Sequence, residues 1–124
     1  MINRFLHASL IVNNISTAVD FYQQCLGFSI DHDRPNLGFP GAWLHSGEFE
    51  LHLLEVANPD PTQNRPAHGG RDRHLAFAVS SLDRLINKLD HHQVQYTLSQ
   101  SGRRALFCRD PDGNALEFVE INNT

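Results

Sequence analysis

The chain has 124 residues, 40% of them hydrophobic and 19% charged, a globular composition that excludes a disordered or fibrous protein and bounds the fold at one domain or two small halves sharing a core. Lys and Arg number 10 against 14 Asp and Glu, a net charge of −4, so the basic footprint of a nucleic-acid binder is missing. No apolar run approaches the roughly 20 residues that cross a bilayer, and MINRFLHAS lacks the apolar segment of a signal peptide, which predicts a cytoplasmic protein with no membrane partner. Cys25 and Cys108 lie far apart without a CxxC pattern, so no disulfide framework or thiolate zinc site is expected.

In chain order, HASLIVNNI reads as a strand from His7. A helix follows, which Asn14 or Ser16 can cap, with Ala18, Phe21, Tyr22 and Cys25 at helical spacing and Gly27 placed to end it. Three short runs with strand character come next, FSIDHD, GAWLHS and FELHLLEV. The segment NPDPTQNRPAHGG is Pro-rich and polar, the one good linker candidate. Beyond it HLAFAV predicts a strand and S-x-x-D at Ser80 and Asp83 a capping box for a helix carrying Leu82, Leu85, Ile86 and Leu89. The strand-like runs QYTLS, RRALFCRD and ALEFVEI close the chain, the last two parted by a DPDG turn in which Pro presets φ and Gly accepts a positive φ.

That order repeats. HASLIVNNI lies over HLAFAVSSL, pairing His7 with His74, and ELHLLE lies over ALEFVE, pairing His52 with Glu117 and Glu55 with Glu120. The chain therefore predicts an α+β fold of two βαβββ modules, at about 4–58 and 71–121, with the helices covering mixed sheets.

Strand alternation puts His7, Ser9 and Ile11 on one face, and His74, Ala76 and Ala78 on the equivalent face. Glu50 and His52 share a face of their strand, as Ala115 and Glu117 do of theirs. If an approximate two-fold axis relates the modules, His7, His52, His74 and Glu117 can converge, and three imidazoles with a carboxylate suit a divalent ion such as Zn, Ni, Co, Fe or Mn. The repeat favours His52 over Glu50 as the fourth ligand, leaving Glu50 as a neighbour or base. Taken singly, each histidine can equally be a strand residue bonded to backbone; the matched positions are what join them.

These residues, His7 with AVDFYQQCLGF, then LHLLE, HLAFAV after Gly-Gly, and DPDGNALEF, resemble the vicinal oxygen chelate superfamily of glyoxalases, bleomycin-resistance proteins and ring-cleaving dioxygenases. The resemblance implies a cup-shaped sheet around a metal, often in a homodimer, with His7, His52, His74 and Glu117 at the metal positions. It implies chelation of vicinal oxygens of a small oxygen-rich metabolite and proton transfer, of lyase or isomerase type; Glu117, as a ligand that can also act as base, and then Glu50 are the candidate proton-handling carboxylates. Histidine at 52, where glyoxalase I is similar but carries glutamate, departs from that enzyme's pattern. Ser9 stands where fosfomycin-resistance relatives carry threonine; Trp43 and Phe107 can wall a substrate cleft, and Arg104 or Arg103 can hold an anionic group. The alternatives are a non-catalytic small-molecule binder of the bleomycin-resistance type and a dioxygenase.

Overall fold

Period-two strands on either side of an amphipathic helix bury one face of each sheet and leave the other free for side chains of a different kind. The computed structural model describes residues 1–121, which divide between a unit Met1–Asp60 and a second beginning at Pro61. In the first, β1 (His7–Val12), α1 (Ile15–Asp20), β2 (Ser29–Asp31), β3 (Gly41–Ser46) and β4 (Phe49–Glu55) form a sheet of order β1-β4-β3-β2. In the second, β5 (His74–Val79), α2 (Leu82–His91), β6 (Tyr96–Leu98), β7 (Ala105–Arg109) and β8 (Ala115–Glu120) give β5-β8-β7-β6. Both are βαβββ: the first strand runs parallel to the last, as a helical crossover requires, and the other pairings are antiparallel.

The registers match as well. His7 lies opposite Glu50 and Ser9 opposite His52; His74 lies opposite Ala115 and Ala76 opposite Glu117. On the helix side of the first sheet Val12, Leu44, Leu51 and Leu53 are buried with Ala18, Phe21 and Tyr22. On that of the second, Leu106, Leu116 and Phe118 are buried with Leu82, Leu85 and Leu89, and Phe77 stacks on Phe118 at 5.5 Å.

Helix ends follow side-chain chemistry. Asn14 Oδ1 accepts from the Thr17 amide at 3.0 Å and caps α1. The first helix runs on beyond Asp20 as a π-helical turn, Phe21–Cys25, before Gly27 at φ 77° releases the chain. The cap of α2 is Ser81, whose Oγ accepts from Arg84 N at 3.1 Å, one residue beyond the expected Ser80; Asp83 still lies in the first turn, where the helix dipole favours an acid.

The Glu55 and Glu120 match has a structural role. The Ile15 amide donates to Glu55 Oε1 at 2.9 Å, and the Leu82 amide to Glu120 Oε2 at 2.8 Å. Each unit thus ties the start of its helix to the end of its last strand through a carboxylate, which satisfies an orphan amide and meets the positive end of the helix dipole. Replacing Glu120 by alanine is expected to cost about 1 kcal/mol in urea unfolding, with no loss of the strand pairings that place His74 and Glu117.

The connector is pinned by ion pairs. Arg65 donates to both oxygens of Asp72, at 2.8 and 2.6 Å, and Arg109 Nη1 donates to Asp72 Oδ2 at 2.8 Å. Arg109 also reaches the Gly113 carbonyl at 2.7 Å and the Pro66 carbonyl at 2.5 Å. A 3-10 turn at Gly69–Arg71, capped by His68, then leads into β5. Gly69 and Gly70 keep this turn against Phe107, because a Cβ would stand 3.4 Å from the Phe107 Cβ at Gly69 and 3.2 Å from its ring tip at Gly70.

Candidate functional site

The face of each sheet turned away from its helix carries one donor pair. In the first unit His7 begins β1 and His52 stands in β4, diagonal across the parallel ladder. Their rings stack at 3.9 Å, and Trp43, opposite His52 on β3, stacks on its other side at 4.6 Å. His52 is thereby held between two rings, and its buried Nε2 has no hydrogen-bond partner. Glu50 Oε1 comes within 3.9 Å of that nitrogen from a side chain 43% exposed. Burial lowers the His52 pKa, and the charges of His7 and Arg34 lower it further against the opposing pull of Glu50 and Asp31. The ring is therefore neutral at pH 7 and its lone pair available to a metal.

The second unit repeats the diagonal with a carboxylate. His74 Nε2 lies 3.2 Å from Glu117 Oε1, and Arg103 Nη2 donates to Glu117 Oε2 at 2.8 Å. Phe107, opposite Glu117 on β7, takes the place that Trp43 holds opposite His52, and meets the His74 ring edge-on at 5.3 Å. Glu117 is only 5% exposed. At the other side of its ring, His74 Nδ1 donates to the Asp72 carbonyl at 2.9 Å, a bond that sets the tautomer and turns Nε2 toward the site. The Arg65–Asp72–Arg109 cluster holds that carbonyl in place, and the Arg guanidinium groups keep the Asp72 carboxyl well below the usual range.

Among the described residues, no three His, Cys, Asp or Glu side chains gather within a unit closely enough to hold an ion. What the structure brings together are the pairs His7 with His52 and His74 with Glu117. Each pair is of metal-ligand chemistry: two imidazoles in the first unit, with one nitrogen buried without a partner, and an imidazole with a carboxylate in the second, the histidine fixed through its far nitrogen by a backbone carbonyl.

Of the other residues singled out, Ser9 follows His7 on the same exposed face, and His45 lies exposed opposite Glu50. Arg104 turns to the other side of its sheet, donating to Glu120 and to Asp83 at 3.2 Å. Its neighbour Arg103 is the one that reaches Glu117. Three side chains carry roles that periodicity cannot signal, namely Asp72, His68 and Arg34. His68 packs edge-on against Phe107 at 4.7 Å and meets the Thr97 hydroxyl at 3.2 Å; Arg34 borders a cavity beside His7 and His52. The arginines on either side of Asp72, at 71 and 73 just beyond the connector, are a local sequence signal for the first.

The pattern of the Glyoxalase/Bleomycin resistance protein/Dioxygenase superfamily matches residues 4–118. Glyoxylase I 4 of Arabidopsis thaliana is 29% identical over 122 residues, covering 94% of this chain and 70% of that protein. YwkD of Bacillus subtilis is 31% identical over 121 residues, covering 92% and 94%. Among solved structures, a mutant of the fosfomycin resistance protein FosX from Listeria monocytogenes, complexed with Mn(II) and a dihydroxypropylphosphonic acid, superposes with a TM-score of 0.77 at 19% identity, covering 97% of this chain and 93% of that one. At that identity the likeness is one of fold.

Proposed function

Because the chain belongs to the Glyoxalase/Bleomycin resistance protein/Dioxygenase superfamily, we propose that it is a metal-dependent enzyme of lyase or isomerase type acting on a small oxygen-rich metabolite. The reading assigns His7, His52, His74 and Glu117 as donors to a divalent ion. The observation that carries it is the buried, unpartnered Nε2 of His52, stacked on His7; a neutral imidazole so placed costs about 1–3 kcal/mol unless something bonds it.

When bound, such an ion supplies Lewis acidity toward adjacent substrate oxygens. The chain's own residues do the rest. Asp72, through its carbonyl, orients His74. Arg103 donates to one oxygen of Glu117 and the His74 Nε2 lone pair faces the other at 3.2 Å, which suits a pair of ligands better than a mobile base. Glu50, near His52 and partly open to solvent, has lone pairs to spare, and takes the proton-carrying role. Trp43 packs on His52 in the first unit and Phe107 on His74 in the second, each ring covering one side of its pair. The same reading takes the protein to be a cytoplasmic homodimer.

Elemental analysis of the purified protein, followed by a turnover screen on small hydroxy-, oxo- and enediol-type compounds with the metal it carries, tests the reading. Near-stoichiometric divalent metal and turnover are expected. Protein that neither retains nor takes up metal overturns it, and metal binding with ligand-induced thermal stabilisation but no turnover supports the non-catalytic alternative instead.

A further inference from the structure

The segment between β2 and β3, residues 32–40, joins His7 and His52 in lining a half-open cavity of about 270 Å³. Its floor includes His7, His52 and Trp43, and its rim Arg34, Leu37 and Phe39, all from the first unit. Arg34 is half-buried there, with its guanidinium 5.2 Å from the centre of the Phe39 ring and Nη2 donating to the Phe39 carbonyl at 3.0 Å.

A space has been left for this cation. On the same face of β3 as Trp43 stands Gly41, where a Cβ would come 2.7 Å from Arg34 Nη2 and 2.5 Å from the Leu53 carbonyl. Glycine lets the guanidinium lie directly on the strand, two residues from the tryptophan that stacks on His52. No carboxylate among the described residues pairs with Arg34, and the cavity lining contains no acidic side chain. The remaining walls are mostly apolar. A fixed guanidinium with donors left over, in a mainly apolar pocket whose lining pairs no carboxylate with it, is a carboxylate receptor: its planar fork matches the two oxygens, and the apolar walls strengthen the pair.

We propose that Arg34 is a substrate-binding residue, and that this cavity takes a small metabolite bearing a carboxylate on a flat, partly apolar body. Which end of that metabolite faces His7 and His52 rests on the metal-site reading; the carboxylate preference itself does not. Arg34 binds the carboxylate bidentately, while Trp43, Phe39 and Leu37 cover the body. Arg34 is the free guanidinium of the first unit's pocket, whereas in the second unit Arg103 is engaged by Glu117 and Arg104 pairs on the other face of its sheet.

Trp43 is the sole tryptophan of the chain, so its fluorescence reports this cavity directly. Benzoate and benzamide differ only in charge and make a matched pair of probes, titrated into the full-length protein as purified and after chelator treatment. Benzoate is expected to quench Trp43 and bind about tenfold or more tighter than benzamide in both forms. Arg34→Met should abolish that preference and Arg34→Lys reduce it, while metal content stays that of the unaltered protein. Equal binding of the two probes, a preference that survives Arg34→Met, or no quenching by either probe at millimolar concentration overturns the proposal. Loss of metal in every form, with the Arg34-dependent preference intact, would count against the metal-site reading alone.

Discussion

Replacing His74 by alanine is expected to empty the metal site: near-stoichiometric divalent metal in the unaltered protein should fall to about a tenth or less. Even residues that only orient a ligand typically cost about 10–100-fold in affinity, so removal of a ligand should weaken it by at least about 100-fold, and turnover should vanish with the metal. The physical reason lies in the pair. Without the ring, Glu117 keeps only Arg103, whose charge already satisfies Oε2. His7→Ala should act alike through the other pair, since it removes the ring on which His52 stacks. Arg104→Ala, which touches only Glu120 and Asp83 in the structure, should retain metal and serves as the control. Metal content that is indifferent to His7, His52, His74 and Glu117 alike would refute the assignment. The metal should also dissociate as pH falls, because imidazole ligands must be unprotonated; the lowered pKa of His52 keeps that ring available as a ligand to lower pH than an ordinary imidazole.

Asp72→Asn is expected to be the most damaging substitution outside the donor pairs. Its carboxylate, 7% exposed, accepts from Arg65 and Arg109, which come from the connector and from β7. An amide there leaves two guanidinium groups without their counter-charge, a loss of about 3 kcal/mol in urea unfolding. The pH dependence has a definite sign. The folded pKa of Asp72 is depressed, chiefly by Arg65 and then by Arg109, so its contribution is fully present above the unfolded value of about 3.9 and is lost as pH falls below that toward the folded value. The stability difference between the native protein and Asp72→Asn should therefore shrink on acidification below about pH 4, and a difference that stays constant down to pH 2 would show that the cluster does not stabilise through this charge. Metal affinity should drop as well, since the Asp72 carbonyl orients His74.

Much of the fold was legible because it is written in local periods. Alternation over His7–Val12 and His74–Val79 specifies which side chains share a face, and a residue-two period cannot slip by one without turning every Leu outward. The internal repeat makes His7 equivalent to His74, and His52 to Glu117, without reference to any contact; the matching registers of the two parallel ladders are the structural form of that equivalence. It also flagged Glu55 and Glu120, although their use as ties between strand and helix is invisible without the fold.

Local competition explains the shorter strands. FSIDHD contributes only Ser29–Asp31, because Asp31 Oδ1 accepts from the Asp33 amide at 2.9 Å and turns the chain. QYTLS contributes Tyr96–Leu98, after which Ser99 and Ser101 bond each other at 2.8 Å. The one-residue shift of the α2 cap has the same origin, two adjacent serines offering equivalent hydroxyls, and only the geometry of Leu82 against Glu120 chooses between them.

By itself, the sequence determined two βαβββ modules and the four donor-type residues on matching strand faces, because periodicity and repetition are properties of the chain alone. Tertiary structure decided what each donor touches: that His52 is clasped between His7 and Trp43, that His74 is steered by a carbonyl held through Asp72, and that Arg34, not Arg104, lies in the cavity beside a histidine pair. Those outcomes depend on loops crossing sheets and on contacts between residues remote in sequence, where a side chain's direction is set by packing and charge rather than by its neighbours along the chain.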